Sequence, residues 1–416
     1  MIRVERPESL DAVVNLPASK SITNRLLIMQ ALSDGRITIG NVSNASDSVI
    51  LSRLLKDLPG QVDAGDSGTA CRFMTSFLSN RPGRYTIQGT GRMHQRPMGE
   101  LVEGLRLSGA QIEYLERSGF LPLRIFGKKL EGGVVNLDAS LSSQFVTALL
   151  LIAPYTKKGL QLRIRGARSS MPYVDMTIGL MRQAGIKLEY DNDTIRIEPQ
   201  EYRSVHFEVE NDWSAASFWY EMVALSESGS VLLKSLRFDS LQGDSVIRSL
   251  MESFGVVSEE HADGVLIQKR EGFSLPGEFR YDFRSCPDLV MPVAALCAAA
   301  SVKAELTGVR NLRHKESDRI AALQSELIKT GARVEASDDR LVIVPRKMEV
   351  TPTVFQAHDD HRMVMSMAGL AMCFSVVSID DHLPVSKSYP EFWKELKTAG
   401  FNCQVSADPF SHPRTS

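Results

Sequence analysis

"MRQAGIKLEY" at residues 181–190 holds the decisive pattern: an apolar anchor at Met181, a glycine four residues on at Gly185, then a strand-like run. A glycine just past the last periodic residue reads as a helix stop, because left-handed backbone costs it least there. The run behind it alternates apolar and polar residues, as a half-buried strand does. The junction recurs as "LRLSGAQIEY" (105–114), "MESFGVVSEE" (251–260), "LIKTGARVEA" (327–336) and "LKTAGFNCQV" (396–405). Intervals of roughly 70–76 residues suit a small βαβαββ unit and exceed the solenoid repeats. A sixth, degenerate junction at "LKDLPGQVDAG" (55–65) lies only about 50 residues before the next. The first repeat is therefore expected to be shortened.

Six units divide into two sets of three. A chain of 416 residues is also too long for one ordinary core, so two domains are expected. A linker fits near "VHFEVENDWSAAS" (205–217), where a strand pattern gives way to polar residues and a new helix. The net charge of -2 argues against a general nucleic-acid binder. The longest apolar runs, "ALLLIAP" (148–154) and "VMPVAALCAAA" (290–300), fall short of the ~18–20 residues of a membrane span. The opening "MIRVERPESLDAVV" lacks the apolar segment of a signal peptide. The five cysteines are scattered, with no CxxC pair, so a reducing, cytoplasmic setting is expected.

Several amphipathic helices open on small, polar or cationic residues. Lys20, Ser21 and Arg25 lead "SKSITNRLLIMQAL", and Gly68 and Thr69 lead "DSGTACRFMTSFL". Ser142, Ser143 and Gln144 precede "FVTALLLI", and His361 and Arg362 precede "MVMSMAGL". A helix N-terminus offers unpaired N–H groups and the positive end of a dipole. Serine there is often only a cap. Repeated cations at that unfavourable end point to bound anions. Lys315, Glu316 and Arg319 bracket another helix start in "HKESDRIAALQ", which reads either as a solvated charged helix or as part of a site. Arg96 and Lys387 are weaker signals, and Asp288, at the lip of an apolar segment, reads equally as an N-cap or a general base. No phosphate loop, HExxH, GxSxG or dinucleotide fingerprint occurs, and His358 and His361 lack a third ligand in sequence. Neither cofactor nor metal is expected. The residues alone stop at a repeat-built α/β enzyme with a cationic cleft for small polyanions.

Taken in order, "SKSITNR", "DSGTACR", "GRMHQRP", "SLSSQF", "SSMPYVD", "QGD", "PDL", "HKESDR", "DDHRM" and "KSYP" resemble the EPSP synthase family along nearly the whole chain. That resemblance implies an inside-out α/β barrel of two domains, each of three βαβαββ repeats. Residues 1–17 and 210–416 would form one domain and 18–209 the other, with substrates in the cleft. It implies transfer of the enolpyruvyl group of phosphoenolpyruvate to the 5-hydroxyl of shikimate 3-phosphate by a monomer, without nucleic acid or membrane. By the same resemblance Lys20, Ser142, Ser143, Ser170 and Tyr173 would bind the shikimate phosphate. Ser21 and Arg25 would hold its carboxylate and hydroxyls, Gln144 would pack on its ring, and Asp288, Asn311 and Lys315 would hold further hydroxyls. Arg96, Arg319, Arg362 and Lys387 would clamp phosphoenolpyruvate, aided by Lys20, Gln144 and the backbone of Gly68. Proton transfers would fall to Glu316, Asp288 and Lys20.

Three positions depart from the family pattern: Met171 beside Ser170 where lysine is frequent, Phe73 where proline or leucine is frequent, and the short first repeat, expected to lack a strand–helix portion before "DSGTACR". The related UDP-N-acetylglucosamine enolpyruvyl transferases carry a reactive cysteine in the region of "GTGRMHQRPMG" (89–99), where this chain has none. A polyanion-binding module without activity would not need Lys20, Asp288, Glu316, Arg319, Arg362 and Lys387 together. With Gly68 unsubstituted, inhibition by glyphosate is expected.

Overall fold

The computed structural model describes residues 1–140, 142–166, 169–346 and 354–406. The five junction glycines are where the repeat predicts them. Gly109, Gly185, Gly255, Gly331 and Gly400 all adopt left-handed backbone, with φ between 76° and 96°. At the degenerate sixth junction the left-handed residue is Leu58, with φ 41°, rather than Gly60. Leu58 thus carries a side chain in a conformation that disfavours one.

The chain divides into two compact units: Met1–Pro17 with Asn211–Asp239 and Asp244–Ser416, and Ala18–Glu210 with Ser240–Gly243. The first unit has three four-stranded sheets, one for each repeat. Its first repeat borrows the strand Leu10–Asn15, which pairs in parallel with Gly229–Lys234. Its third repeat is completed by Ile2–Glu5, lying between Val376–Ile379 and Asn402–Val405. Three helices, Trp213–Leu225, Val290–Ala299 and His361–Gly369, pack on one another inside these sheets. Every residue of Val290–Ala299 is buried, which explains its uninterrupted apolar sequence. Pro292 is tolerated in its first turn, where no helical hydrogen bond is lost.

The second unit repeats the plan around Lys20–Leu32, Gly68–Ser79 and Ser143–Ile152. Two of its sheets have four strands, but the third pairs only Ile37–Gly40 with Val205–Glu208. The shortening differs from expectation. The strand Ile37–Gly40 and the helix Ser46–Asp57 are both present, and the antiparallel strand pair that ends the other repeats is what the chain omits among the described residues. The junction at Leu58 leads straight into Gln61–Asp63, the first strand of the next repeat. Strands such as Leu160–Arg165 alternate buried and exposed residues, so each sheet turns one face to the helices and one to water. Each unit has its own core, and a fully buried Phe, Leu or Ile contributes about 1.5–3 kcal/mol to such a core. Among the described residues, no helix is long and apolar enough to cross a membrane.

Candidate active site

In the first unit, three carboxylates, two of them distant in sequence, converge on one guanidinium. Arg319 opens the helix Arg319–Leu327 and is 1% exposed. Its Nε donates to Asp360 Oδ2 at 2.8 Å and its Nη2 to Asp360 Oδ1 at 3.2 Å, a two-pronged contact. Nη1 donates to Asp288 Oδ1 at 2.9 Å and Nη2 to Glu316 Oε2 at 2.9 Å. Asp360 is the N-cap of His361–Gly369, accepting from the Arg362 amide at 3.0 Å, and it also accepts from Ser317 Oγ at 3.1 Å. The bland reading of "HKESDR" as a solvated charged helix is therefore overturned: its arginine is buried among carboxylates.

Asp288 is not an N-cap. It lies in the turn Pro287–Leu289, and the helix that follows is capped by no side chain. Its Oδ2 accepts from Arg362 Nη2 at 3.0 Å, and Lys315 Nζ approaches Oδ1 at 3.7 Å. Burial pushes its pKa up, but Arg362, Lys315 and Arg319 outweigh burial and hold it well below the usual carboxylate range. Asp360 behaves likewise: burial opposes ionisation, and Arg319 and His361 overcome it. Asp244, in "QGD", goes the other way. Burial first, then the charge of Asp288, raises it to about 6, although it accepts a short hydrogen bond from Ser214 Oγ. Asn311 and Lys387 are buried, at the 3₁₀ turns Arg310–His314 and Leu383–Lys387.

The second unit gathers a separate set. Gly68 begins a helix capped by Ser67, and a Cβ at Gly68 would meet Arg96 Nη1 at 2.5 Å and Cζ at 2.7 Å. The guanidinium therefore rests on the bare glycine. Gln144 accepts from Arg72 Nη1 at 2.5 Å and donates to Thr69 Oγ1 at 3.0 Å. Arg72 also reaches the Pro97 carbonyl at 3.4 Å and lies over the Phe145 ring. One arginine thereby ties the helix carrying Gly68 to the loop carrying Arg96 and to the helix start carrying Gln144. Ser142 caps that helix, accepting from the Gln144 amide at 3.3 Å, and Ser143 is its first residue. Ser170 stands at the start of Met171–Gln183 in left-handed backbone, φ 60°, with Tyr173 one turn on.

Lys20 Nζ pairs with Asp47 Oδ2 at 3.4 Å, and Ser21 follows it in the first turn. Arg25 is buried. It donates to Thr177 Oγ1 at 2.8 Å and to the carbonyls of Ser21 at 2.8 Å and Tyr173 at 3.0 Å. Burial lowers its pKa to about 10, and its guanidinium sits near the rings of Phe73 and Tyr173. Phe73 is thus the floor beneath Arg25, and Met171 packs against the unit's apolar core.

Sequence reasoning passed over Asp360, Arg72, Asp47 and Asp244. Asp360 had a signal, an acid preceding His361 at a helix start, and "QGD" was noticed without a role. Nothing in the sequence marks the Arg72–Gln144 or Lys20–Asp47 pairings, which exist only across helices.

Comparison with known proteins gives the same picture throughout the chain. The family model described as EPSP synthase (3-phosphoshikimate 1-carboxyvinyltransferase) matches residues 4–63 and 53–396. A 3-phosphoshikimate 1-carboxyvinyltransferase of Bacteroides fragilis is 39% identical over 97% of this chain and 98% of its own. One from Vibrio cholerae is 33% identical over 94% of this chain and 97% of its own. The EPSP synthase structure from Acinetobacter baumannii superposes with a TM-score of 0.73 at 21% identity, covering 97% of this chain and all of that one. This likeness gives the fold as the two-domain inside-out α/β type. With a family model spanning nearly its full length and relatives above 30% identity, the chain belongs to the EPSP synthase family.

Proposed function

We propose that this protein transfers the enolpyruvyl group of phosphoenolpyruvate to the 5-hydroxyl of shikimate 3-phosphate and releases inorganic phosphate. The observation that carries the reading is Asp288, a buried carboxylate held by Arg319, Arg362 and Lys315. Substrates that each bear several negative charges repel one another, and converging cations of low solvent exposure offset that repulsion. Arg96, Arg319, Arg362, Lys387 and Lys20 are assigned to phosphoenolpyruvate, with Gly68 and Gln144. Lys20, Ser21, Arg25, Ser142, Ser143, Gln144, Ser170, Tyr173, Asn311, Lys315 and Asp288 are assigned to shikimate 3-phosphate. Within its own set Arg319 serves chiefly as the anchor, since three carboxylates already occupy its fork.

The chemistry follows from charge balance. A proton added to the methylene carbon of phosphoenolpyruvate makes the neighbouring carbon electrophilic, and Glu316 is assigned that proton, with Lys20 as alternative donor. The 5-hydroxyl oxygen bonds to that carbon while its proton passes to Asp288. Phosphate then leaves while a methyl proton returns to the group that donated it, Glu316 or Lys20, which restores the carbon–carbon double bond. Asp288 is a weak base while three cations hold it ionised. An anionic substrate that neutralises Arg362 and Lys315 removes that hold, and burial then raises its basicity. Substrate binding thus switches the base on.

The test is phosphate release from phosphoenolpyruvate with shikimate 3-phosphate as acceptor, run beside UDP-N-acetylglucosamine and a no-acceptor control. Release only with shikimate 3-phosphate is the expected result. Release with the nucleotide sugar instead would reassign the acceptor, and none above control would end the enzyme reading. A cytoplasmic location is inferred from five cysteines, all of them unpaired thiols.

A further inference from the structure

The helix Arg319–Leu327 holds the strand-to-helix segment 356–362 at two points two turns apart. At its N-terminal end is the Arg319–Asp360 fork. At the other end is Glu326, whose side chain is 1% exposed. Its Oε2 accepts from the Gln356 amide at 2.8 Å and from Lys329 Nζ at 2.6 Å, and its Oε1 accepts from His358 Nε2 at 2.9 Å. Between the two points lie His358 and Asp359, consecutive residues with φ of 53° and 54°. Two successive side-chain-bearing residues in left-handed backbone do not persist unless their surroundings hold them there. Asp360 comes next and Arg362 two further on, so the path through this pair sets where both groups stand. Burial pushes the Glu326 carboxyl up, but Lys329, the Gln356 amide and His358 prevail and keep it below its ordinary value, a charged clamp.

We propose that Glu326 is a positioning residue for the anion-binding arginines: by gripping Gln356 and His358 it enforces the left-handed turn at His358–Asp359 and so places Asp360, Arg319 and Arg362. The inference rests on the enolpyruvyl-transfer reading for its kinetic consequence, though not for its structural one. Glu326 acts only through other residues and is not itself a catalytic group.

Two readouts test it. In Glu326→Gln, which keeps the side chain's volume, amide exchange across 356–362 should quicken roughly 10-fold while the helices Trp213–Leu225 and Val290–Ala299 stay protected. In steady state, the KM for phosphoenolpyruvate should rise roughly 5- to 10-fold, with kcat and the KM for shikimate 3-phosphate within about threefold of wild type. Adding Asp359→Gly, which removes the steric cost of the left-handed turn, should recover part of that KM. A general loss of helix stability would not be rescued in this way. Unchanged exchange in 356–362 overturns the clamp whatever the activity. Faster exchange with an unchanged KM for phosphoenolpyruvate, in an active wild-type background, overturns the positioning role. A wild type that releases no phosphate overturns the reaction and, with it, the kinetic half of the proposal, leaving the exchange result to decide the clamp.

Discussion

Replacing Asp288 by Asn removes one negative charge and almost no volume from the most crowded point of the first unit. The carboxylate faces Arg319 at 2.9 Å, Arg362 at 3.0 Å and Lys315 at 3.7 Å. At the effective dielectric that suits such sites, a unit pair about 4 Å apart is worth roughly 4 kcal/mol before desolvation is subtracted. Asp288 therefore competes strongly with any incoming anion for the same cations. Loss of its charge should leave the affinity for phosphoenolpyruvate unchanged or improved, even as the base disappears. Removing a positioned base typically costs about 10²–10⁴ in rate, so kcat should drop into that range. Folding should be weakened by less than the ~3–5 kcal/mol of a fully broken buried pair, because Glu316 and Asp360 still neutralise Arg319. Phosphate release measured against each substrate separates kcat from KM, and calorimetric titration gives the affinities directly. A kcat within tenfold of wild type would remove Asp288 as the base. A KM for phosphoenolpyruvate raised tenfold or more would show that the carboxylate supports binding instead of opposing it.

Gly68→Ala places a methyl group 2.5–2.9 Å from the Arg96 guanidinium, and the flexible side chain is what must move. Its KM for phosphoenolpyruvate should rise about 10- to 100-fold, the value of one charge-assisted contact, with the melting temperature nearly unchanged; an unaltered KM would show that Arg96 does not touch this substrate. Glyphosate should inhibit the wild type through the same anion set, and indifference at millimolar concentrations would refute that. Asp244, raised to about 6 by burial and by Asp288, favours the folded state while protonated. Its contribution is full below its unfolded pKa near 3.8 and is lost as pH climbs to about 6. The melting temperature of Asp244→Asn relative to wild type should therefore rise between pH 4 and 6 and then level off, and a constant difference would count against a buried titrating Asp244.

The repeat was legible because backbone stereochemistry leaves a mark in composition. Gly109, Gly185, Gly255, Gly331 and Gly400 occupy positions that other residues enter at a cost, so their spacing survived as a readable signal. At Leu58 the same backbone is adopted by a residue that gives no such signal, so the junction reads as degenerate and the sequence does not show that a strand pair, rather than a strand and helix, is what the first repeat omits. Helix starts were legible, as at Lys20, Gly68 and Arg362, because capping residues and misplaced cations mark them in the sequence. The site was illegible where a charge is defined by its partners. For Arg319 the sequence leaves a solvated charge and a site residue equally open, and only Asp360, 41 residues later, closes its fork. Nothing near Arg25 in sequence shows that Thr177, 152 residues away, accepts from it. Such pairings depend on tertiary approach, which local periodicity does not encode.

The strand Ile2–Glu5 is made before the other described strands and sits in the middle of its sheet, flanked by Val376–Ile379 and Asn402–Val405. On the ribosome it must wait, unpaired on both edges, for nearly the entire chain. Every strand of the other unit lies within residues 37–208, so that unit can close while the C-terminal half is still unmade. Its entry and exit are stitched together by the Ser19 amide on the Glu210 carbonyl at 2.9 Å, so it grows as a loop with joined ends. Vectorial synthesis thus favours an inserted unit that matures first, while the host unit's strand Ile2–Glu5 is held in reserve until its partners beyond residue 375 are made.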